Sequence, residues 1–310
     1  MKTTLYTHES CAAHTVPMGN PETPARVSAV LEALSGPDFA DLGRRRAPRA
    51  DLDDIRRAHG QGYIDLICQN APADDGFFAL DADTALSRGT FEAALRAAGA
   101  ACQGVDDVIA GNSEAVFCAL RPPGHHARPT QAMGFCYFST VAIAALRALQ
   151  GHGLERVAVV DFDVHHGNGT QEILWDAPGA LYISLHQQNH YPGTGLAEET
   201  GGQGKVLNLP MPGGTSAQDW MRSFESRALH ALAEHAPQLI LASAGFDAHA
   251  EDPLGGFALR SANYHTIGAS LTKMAQQYAD SRLVCVLEGG YDLAALGRST
   301  RAFVQALAKA

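Results

Sequence analysis

No apolar run in this 310-residue chain approaches the roughly 18 residues that a membrane-crossing helix needs, so no membrane span is expected. Basic charge is scarce. Against 33 Asp and Glu stand 23 Lys and Arg, a formal net charge of −10. A phosphate backbone needs a basic face, so nucleic acid is not an expected partner. A negative chain is compatible with cationic substrates. Cysteine is sparse, at Cys11, Cys68, Cys102, Cys118, Cys136 and Cys285, and no CxxC pair occurs. Several sit inside apolar runs such as Val116-Phe117-Cys118-Ala119, so they read as reduced core thiols, which fits a cytoplasmic setting. Met1 to Ser10 is polar and lacks the apolar stretch of a secretory leader, so none is expected. Internal repeats and long Gly/Ser- or Pro-rich linkers are also missing, and residues 1–310 read as a single domain.

What is present suits a large buried core. Hydrophobic residues make up 46% and charged residues 18%, which argues against global disorder. Short β-branched runs recur at Ala115 to Ala119, Val157 to Phe162, Ala180 to Leu185, Lys205 to Leu209, Gln238 to Ser243 and Arg282 to Leu287. They are continuous rather than alternating, as in strands covered on both faces of a parallel sheet. Between and around them lie helix-like segments: Pro24 to Leu34, Thr90 to Ile109, Thr140 to Leu149, Ser216 to His235, Ser261 to Tyr278 and Asp292 to Lys309. The alternation predicts a three-layer α/β fold with a central, mostly parallel sheet flanked by helices. Arg44 to Arg49 and Asp51 to Asp54 read as solvated charge clusters. The long loops, Arg121 to Phe135, Gln187 to Gly204 and Ala248 to Gly256, are of a length that is often functional.

The unusual polar residues follow the carboxyl ends of predicted strands, where open α/β sheets bind ligands. Ala115 to Leu120 runs into Arg121-Pro122-Pro123-Gly124-His125-His126, and Val157 to Val160 into Asp161-Phe162-Asp163-Val164-His165-His166-Gly167-Asn168. Leu239 to Ala242 runs into Ser243-Ala244-Gly245-Phe246-Asp247, and Val284 to Leu287 into Glu288-Gly289-Gly290-Tyr291. On an extended segment Asp161, Asp163 and His165 would share one side and His166 would take the other. Asp163 and His165, with Asp247 as third member, form a plausible ligand set for zinc, iron(II) or manganese. Two carboxylates and a neutral imidazole balance a divalent charge, and three protein ligands leave room for water and substrate. Read singly, Asp163 and His165 are a common Asp-x-His pairing, and Asp247 could be a helix N-cap or a loop salt bridge; their joint occurrence with the paired histidines and Gly-Gly-Tyr at strand ends favours ligation. Adjacent His125 and His126 suggest proton transfer, since imidazole titrates near neutrality, or else an exposed polar loop. Tyr291 could donate to a developing oxyanion or simply fill the core.

Read together, these segments resemble the histone deacetylase family, on the arginase–deacetylase fold. The likeness also takes in Gly134-Phe135-Cys136-Tyr137-Phe138, Gly167-Asn168-Gly169-Thr170-Gln171, Ser184-Leu185-His186, Tyr191-Pro192-Gly193-Thr194-Gly195 and Asp252-Pro253-Leu254-Gly255, in order along nearly the whole chain. Asn168 and Pro122-Pro123-Gly124 look like class II and its bacterial relatives. The resemblance implies a zinc-dependent amidohydrolase, iron(II) being possible, acting on acyl-lysine or small acyl-amine substrates. Asp163, His165 and Asp247 would bind the metal. His125 and His126 would be the acid/base pair, backed by Asp161 and Asn168, and Tyr291 would polarise the scissile carbonyl. Phe135, Tyr191, Gly134 and Gly289 would line a narrow tunnel, with Leu254 and the rim carboxylate Asp83 at its mouth and Arg26 in a cavity below. Asp161, Asp163, His165, Ser184 and Leu185 would surround a structural potassium ion, with a second monovalent site near Leu174 to Ala180. Where the family usually has asparagine after Phe138, Ser139-Thr140 stands, and serine can still cap the helix that follows. Tyr191 replaces a commoner phenylalanine. The alternatives are an acetylpolyamine amidohydrolase, which would favour an acidic residue where Leu254 stands, and a catalytically silent metal-binding scaffold. An arginase-like binuclear manganese enzyme would need more carboxylate ligands than these.

Overall fold

The computed structural model of this chain describes residues 2–309. Met1 and Ala310, the ends of the single domain expected above, lie outside the described residues. In chain order the strands are β1 (Thr3–Thr7), β2 (Gly43–Arg46), β3 (Phe78–Ala79), β4 (Ala85–Leu86), β5 (Ala115–Cys118), β6 (Val157–Asp161), β7 (Ala180–Gln187), β8 (Val206–Met211), β9 (Leu239–Ala244) and β10 (Leu283–Leu287). Among the described residues eight of them form one sheet in the order β2-β1-β5-β10-β9-β6-β7-β8, and β3 and β4 pair separately. Every pairing in the large sheet is parallel. All six continuous apolar runs are strands, and each central one is buried along its whole length.

Successive residues of a strand point to opposite faces, and β5 shows both faces covered. Val116 packs at Gly104 of the Thr90–Ile109 helix, where an added Cβ would sit 3.0 Å from its Cγ1. Phe117, its neighbour, puts its ring 6.2 Å from that of Phe303 in the Leu293–Lys309 helix. Helices therefore lie on both sides, giving the three layers. The core is continuous from Leu5 to Leu307.

Helix limits follow local chemistry. Asp292 Oδ1 accepts from Ala295 N at 2.7 Å and caps the last helix. Ser139 precedes the Thr140–Leu146 helix but makes no capping bond with its side chain, so that expectation is not met. The segments expected as continuous helices at Thr140 to Leu149 and Ser216 to His235 each contain a wider π turn, at Arg147–Gly151 and Phe224–Ala228.

Polar stretches also enter the sheet and the core. The opening segment holds β1, whose Thr3, Thr4, Leu5 and Tyr6 are buried because their polar atoms find partners: Thr4 Oγ1 meets Ser113 Oγ at 2.7 Å, and Tyr6 Oη donates to Asp107 at 2.7 Å. Arg44 to Arg46 are exposed as expected, yet they form edge strand β2, where charged side chains discourage pairing with another chain. Asp54 is buried rather than solvated. Arg147 meets it at 2.6 Å and Arg57 at 3.2 Å.

Tyr6→Phe removes one donor from buried Asp107, which keeps Arg45 at 2.8 Å. The urea midpoint should fall by the equivalent of about 1 kcal/mol at unchanged slope. An unmoved midpoint would mean that this bond contributes nothing to β1.

Candidate active site

Strands β5, β10, β9 and β6 are consecutive neighbours in the middle of the sheet. At about 4.8 Å between strands their carboxyl ends fall within roughly 15 Å. This adjacency brings the four polar segments to one rim.

Beyond Asp161 the chain leaves β6 and bends, so Asp163 to His165 is not the extended segment expected. The bend still turns both side chains together: His165 Nδ1 lies 3.0 Å from Asp163 Oδ1 and 3.2 Å from Asp247 Oδ2. One ligand atom from each of the three lies within 4.8 Å of the others, and all three residues are buried. Asp247 Oδ1 accepts from Val164 N at 2.9 Å, but the Oδ2 contact with His165 lacks hydrogen-bond geometry and leaves a buried carboxylate oxygen without a donor. At Gly289, whose amide donates to Asp163 Oδ2 at 2.8 Å, an added Cβ would overlap Asp247 Oδ2 and lie 2.6 Å from Asp163 Oδ2. Burial first, and then the charge of Asp163, pushes Asp247 up from the usual carboxylate range. Burial would lower His165, but Asp163 and Asp247 overcome it and push it up to about 10. The trio thus carries an excess of negative charge around a space closed to side chains, with one unpaired oxygen facing it. That is the donor chemistry of a divalent cation site, and the three residues fit one.

The two histidines of the β5 loop have unlike partners. His125 Nδ1 lies 3.0 Å from Asp161 Oδ2, and His126 Nδ1 lies 2.8 Å from Asn168 Oδ1. Their rings are 4.0 Å apart between centroids. Burial would lower His125, but the charges of Asp161, Asp163 and Glu288 push it up to about 10. His126 is held well below its ordinary value, by burial first and then by the charges of His125 and His165. The neighbouring carboxylates thus favour the protonated form of His125, and burial favours the neutral form of His126.

A cavity of about 290 Å³ opens above them. Its walls include Asp83, His125, His126, Gly134, Phe135, His165, Tyr191, Leu254, Gly289 and Tyr291, which brings together every residue expected in the tunnel. Gly134 has φ +56°, and its Cα packs so closely on the His126 ring that a Cβ would overlap it. Phe135 follows at φ +66°, a strained angle for a large side chain, and its ring lies 6.0 Å from that of Tyr291. Tyr191 meets His126 edge to face at 5.0 Å. At the mouth, Asp83 Oδ1 accepts from Gly134 N at 3.1 Å. Burial pushes the Tyr291 phenol well above its usual range, so it is a protonated donor at neutral pH.

Arg26 does not end in open space. Its guanidinium donates to Gly290 O at 2.7 Å, to Glu22 Oε1 at 2.9 Å and to Glu288 O, and it lies 4.8 Å over the Tyr291 ring. Asp161 and Ser184, named for potassium, are register partners on β6 and β7, with Leu185 next along the strand. His166 turns away from His165, as expected, to Thr194 at 2.8 Å and Gln171 at 2.9 Å. His186 bonds Ser184 at 2.9 Å and Gly195 O at 3.0 Å.

Several further residues support the site without having been expected there. Glu288 Oε2 accepts from the amides of Gly124 at 2.7 Å and His125 at 3.1 Å, which clamps the histidine turn. Asp252 accepts from Tyr291 N at 2.6 Å and Leu254 N at 3.0 Å, tying the phenol's loop to the mouth. His190, given no role above, lines the cavity, stacks on His165 at 4.9 Å and meets Leu254 O at 2.8 Å. Glu22 is fully buried, with Arg121 at 2.7 Å and Arg26 at 2.9 Å. Glu22 precedes the Ala25–Ala33 helix, so its spacing from Arg26 is not a helix-face signal, and the Arg121 contact is long-range.

Comparison with known proteins agrees with this geometry. Residues 20–307 match the Histone deacetylase domain family. A histone deacetylase-like amidohydrolase of Pseudomonas aeruginosa is 41% identical, over 88% of this chain and 72% of its own. Histone deacetylase 14, chloroplastic, of Arabidopsis thaliana is 37% identical, over 93% of this chain and 73% of its own. The crystal structure of the HDA15 HD domain superposes with a TM-score of 0.91 at 32% identity, covering 99% of this chain and 89% of that one. The architecture is therefore the arginase–deacetylase fold.

The Glu22 cluster has a pH signature. Burial would raise this carboxyl, but Arg121, His14 and Arg26 overcome it and hold it at about 2, below its ordinary 4.5. A depressed carboxyl contributes stability that is present above 4.5 and lost as pH falls through about 2. Glu22→Gln leaves two buried guanidinium groups without their counter-charge and should cost about 3–5 kcal/mol at neutral pH. It should also remove this part of the acid sensitivity. Denaturation at pH 7 and pH 3 checks both, and an equal loss on acidification in the two proteins would contradict the assignment.

Proposed function

The chain belongs to the histone deacetylase family and is a deacetylase-type amidohydrolase, and on that premise we propose that it is a zinc enzyme that hydrolyses N-ε-acyl-lysine, the whole chain acting as one catalytic domain. The observation that carries this reading is the Asp163, His165 and Asp247 trio at the foot of a cavity that His125, His126 and Tyr291 also line.

In this reading Asp163, His165 and Asp247 hold zinc, with iron(II) as the alternative. A divalent ion bound there supplies Lewis acidity toward the amide carbonyl and lowers the pKa of a water toward about 7. The other steps belong to side chains of this protein. Phe135 and Tyr191 hold an extended acyl-amine chain between their rings and exclude water. Tyr291 donates its hydroxyl proton in a hydrogen bond to the carbonyl oxygen as negative charge develops. His126, neutral and fixed through Nδ1 by Asn168, has Nε2 free to take the proton of the attacking water. His125, charged against Asp161, delivers a proton to the departing amine. Potassium would lie among Asp161, Asp163, His165, Ser184 and Leu185, stiffening the loop that carries the trio. The six free thiols, five of them buried, support a cytoplasmic setting.

Leu254 at the mouth favours acyl-lysine over acetylpolyamine, for which an acidic residue there would suit better. The polyamine reading keeps one observation in its favour: Asp83 and Asp81 stand close enough to Tyr191 to raise its phenol by their charge, after the larger effect of burial. A direct assay separates the two. Purified, metal-loaded protein should release acetate from a fluorogenic acetyl-lysine peptide faster than from acetylated polyamines, and a chelator should abolish both. The reverse ratio would move the substrate to polyamines. No turnover on either by protein with stoichiometric metal would reject the hydrolytic reading.

Two substitutions separate the roles. Tyr291→Phe should lower kcat by about 10²–10³ while zinc stays bound. Asp247→Asn should lose zinc on dialysis, read by elemental analysis. Normal turnover in the first, or full metal content in the second, would remove that residue from its role.

A further inference from the structure

Tyr182 takes no part in the chemistry proposed above, yet its polar tip lies at the centre of it. On β7 it pairs in register with Val159, two residues before the pair of Ser184 with Asp161, so Tyr182, Ser184 and Asp161 share one face of the sheet. The ring is fully buried. Its hydroxyl lies 3.1 Å from Asp161 Oδ2 and 3.1 Å from Gly167 O. Asp161 Oδ2 is the same oxygen that faces His125 Nδ1 at 3.0 Å. The three groups converge over Gly167, where an added Cβ would overlap Asp161 Oδ2 and Tyr182 Oη and come within 3.1 Å of His125 Nδ1.

A carboxylate turns about a single bond, so a histidine partner alone does not fix its plane. Here Asp161 Oδ1 accepts from Asp163 N at 3.2 Å, and Oδ2 shares the phenol's single proton with Gly167 O, which leaves one orientation. Burial and the charge of Asp161 keep the phenol protonated, so it remains a donor. We infer that Tyr182 is a positioning residue for the His125–Asp161 pair, holding the carboxylate plane so that Oδ2 receives His125 Nδ1 while the opposite ring nitrogen stays aimed into the cavity. It touches no substrate and acts only through His125. The inference rests on the functional reading above.

The test uses the metal-loaded full chain and the acetyl-lysine peptide. Tyr182→Phe keeps the ring that fills the space and removes the hydroxyl. Its kcat should fall roughly 10–100-fold, the usual cost of losing a partner that orients an active-site histidine, with KM and zinc content unchanged. Tyr63→Phe is the control. It removes another buried phenol, one that donates to Tyr137 O at 2.6 Å away from the site, and should lower Tm comparably with no loss of kcat. In a His125→Ala background Tyr182→Phe should cost no further activity, because its only route of action is gone. A kcat for Tyr182→Phe no lower than for Tyr63→Phe, or the same penalty with and without His125, would overturn the inference while wild-type turnover leaves the functional reading standing. Absence of wild-type turnover would overturn both.

Discussion

Buried negative charge at the carboxyl rim of the sheet is the constraint to which the rest of the structure answers. Glu22, Asp161, Asp163, Asp247 and Glu288 are all fully buried. An unpaired buried carboxylate is too costly to persist, so each must meet a cation or several donors. Arg121 and Arg26 serve Glu22, His125 serves Asp161, and two backbone amides serve Glu288. Asp163 and Asp247 share the charge of His165, but the Asp247 oxygen that faces the ring receives no hydrogen bond from it. Compensation also determines geometry. The guanidinium that answers Glu22 holds the carbonyls of Glu288 and Gly290 on either side of Gly289 and lies over the Tyr291 ring. The Tyr291 phenol is thus placed by a buried ion pair whose guanidinium lies against its ring.

Topology makes that concentration of charge possible. Four loops can share a site only if their strands are neighbours, and β5, β10, β9 and β6 are, although they are far apart in the chain. Parallel pairing sends all four carboxyl ends to one side. The close approaches then fall to glycine. Gly289 passes between Asp163 and Asp247, and Gly134 lies against His126; a Cβ at either would enter the groups it packs on. The motif glycines are there because the backbone itself forms the walls of the site.

Most of the site was legible because it lies in short contiguous motifs at strand ends. Asp-x-His, the paired histidines and Gly-Gly-Tyr each keep their members within a few residues, so local spacing carries the geometry. What escaped is long-range or polar where apolarity was expected. Strand β1 reads as polar because its burial depends on Ser113 and Asp107, over a hundred residues away. Asp54 looks like a surface charge until Arg147 is brought to it. Tyr182 was hidden by its surroundings: inside an apolar strand an aromatic ring reads as core, and only the register of β7 with β6 reveals where the hydroxyl ends. His190 carried no periodic or motif signal, since loop folding alone stacks it on His165.

The two adjacent histidines show how far one atom in a partner reaches. Both are buried and both use Nδ1 to hold a neighbouring oxygen. Asp161 offers a carboxylate, which stabilises a proton on His125; Asn168 offers an amide, which orients His126 without adding charge. The protonated ring beside it then depresses His126 further. Proton uptake and delivery need different groups at the same pH, and a pair with identical partners would compete for the same state. A carboxylate beside one ring and an amide beside the other push the two histidines in opposite directions, and with the rings 4.0 Å apart between centroids a charge on His125 disfavours one on His126. Adjacency in sequence is what couples them.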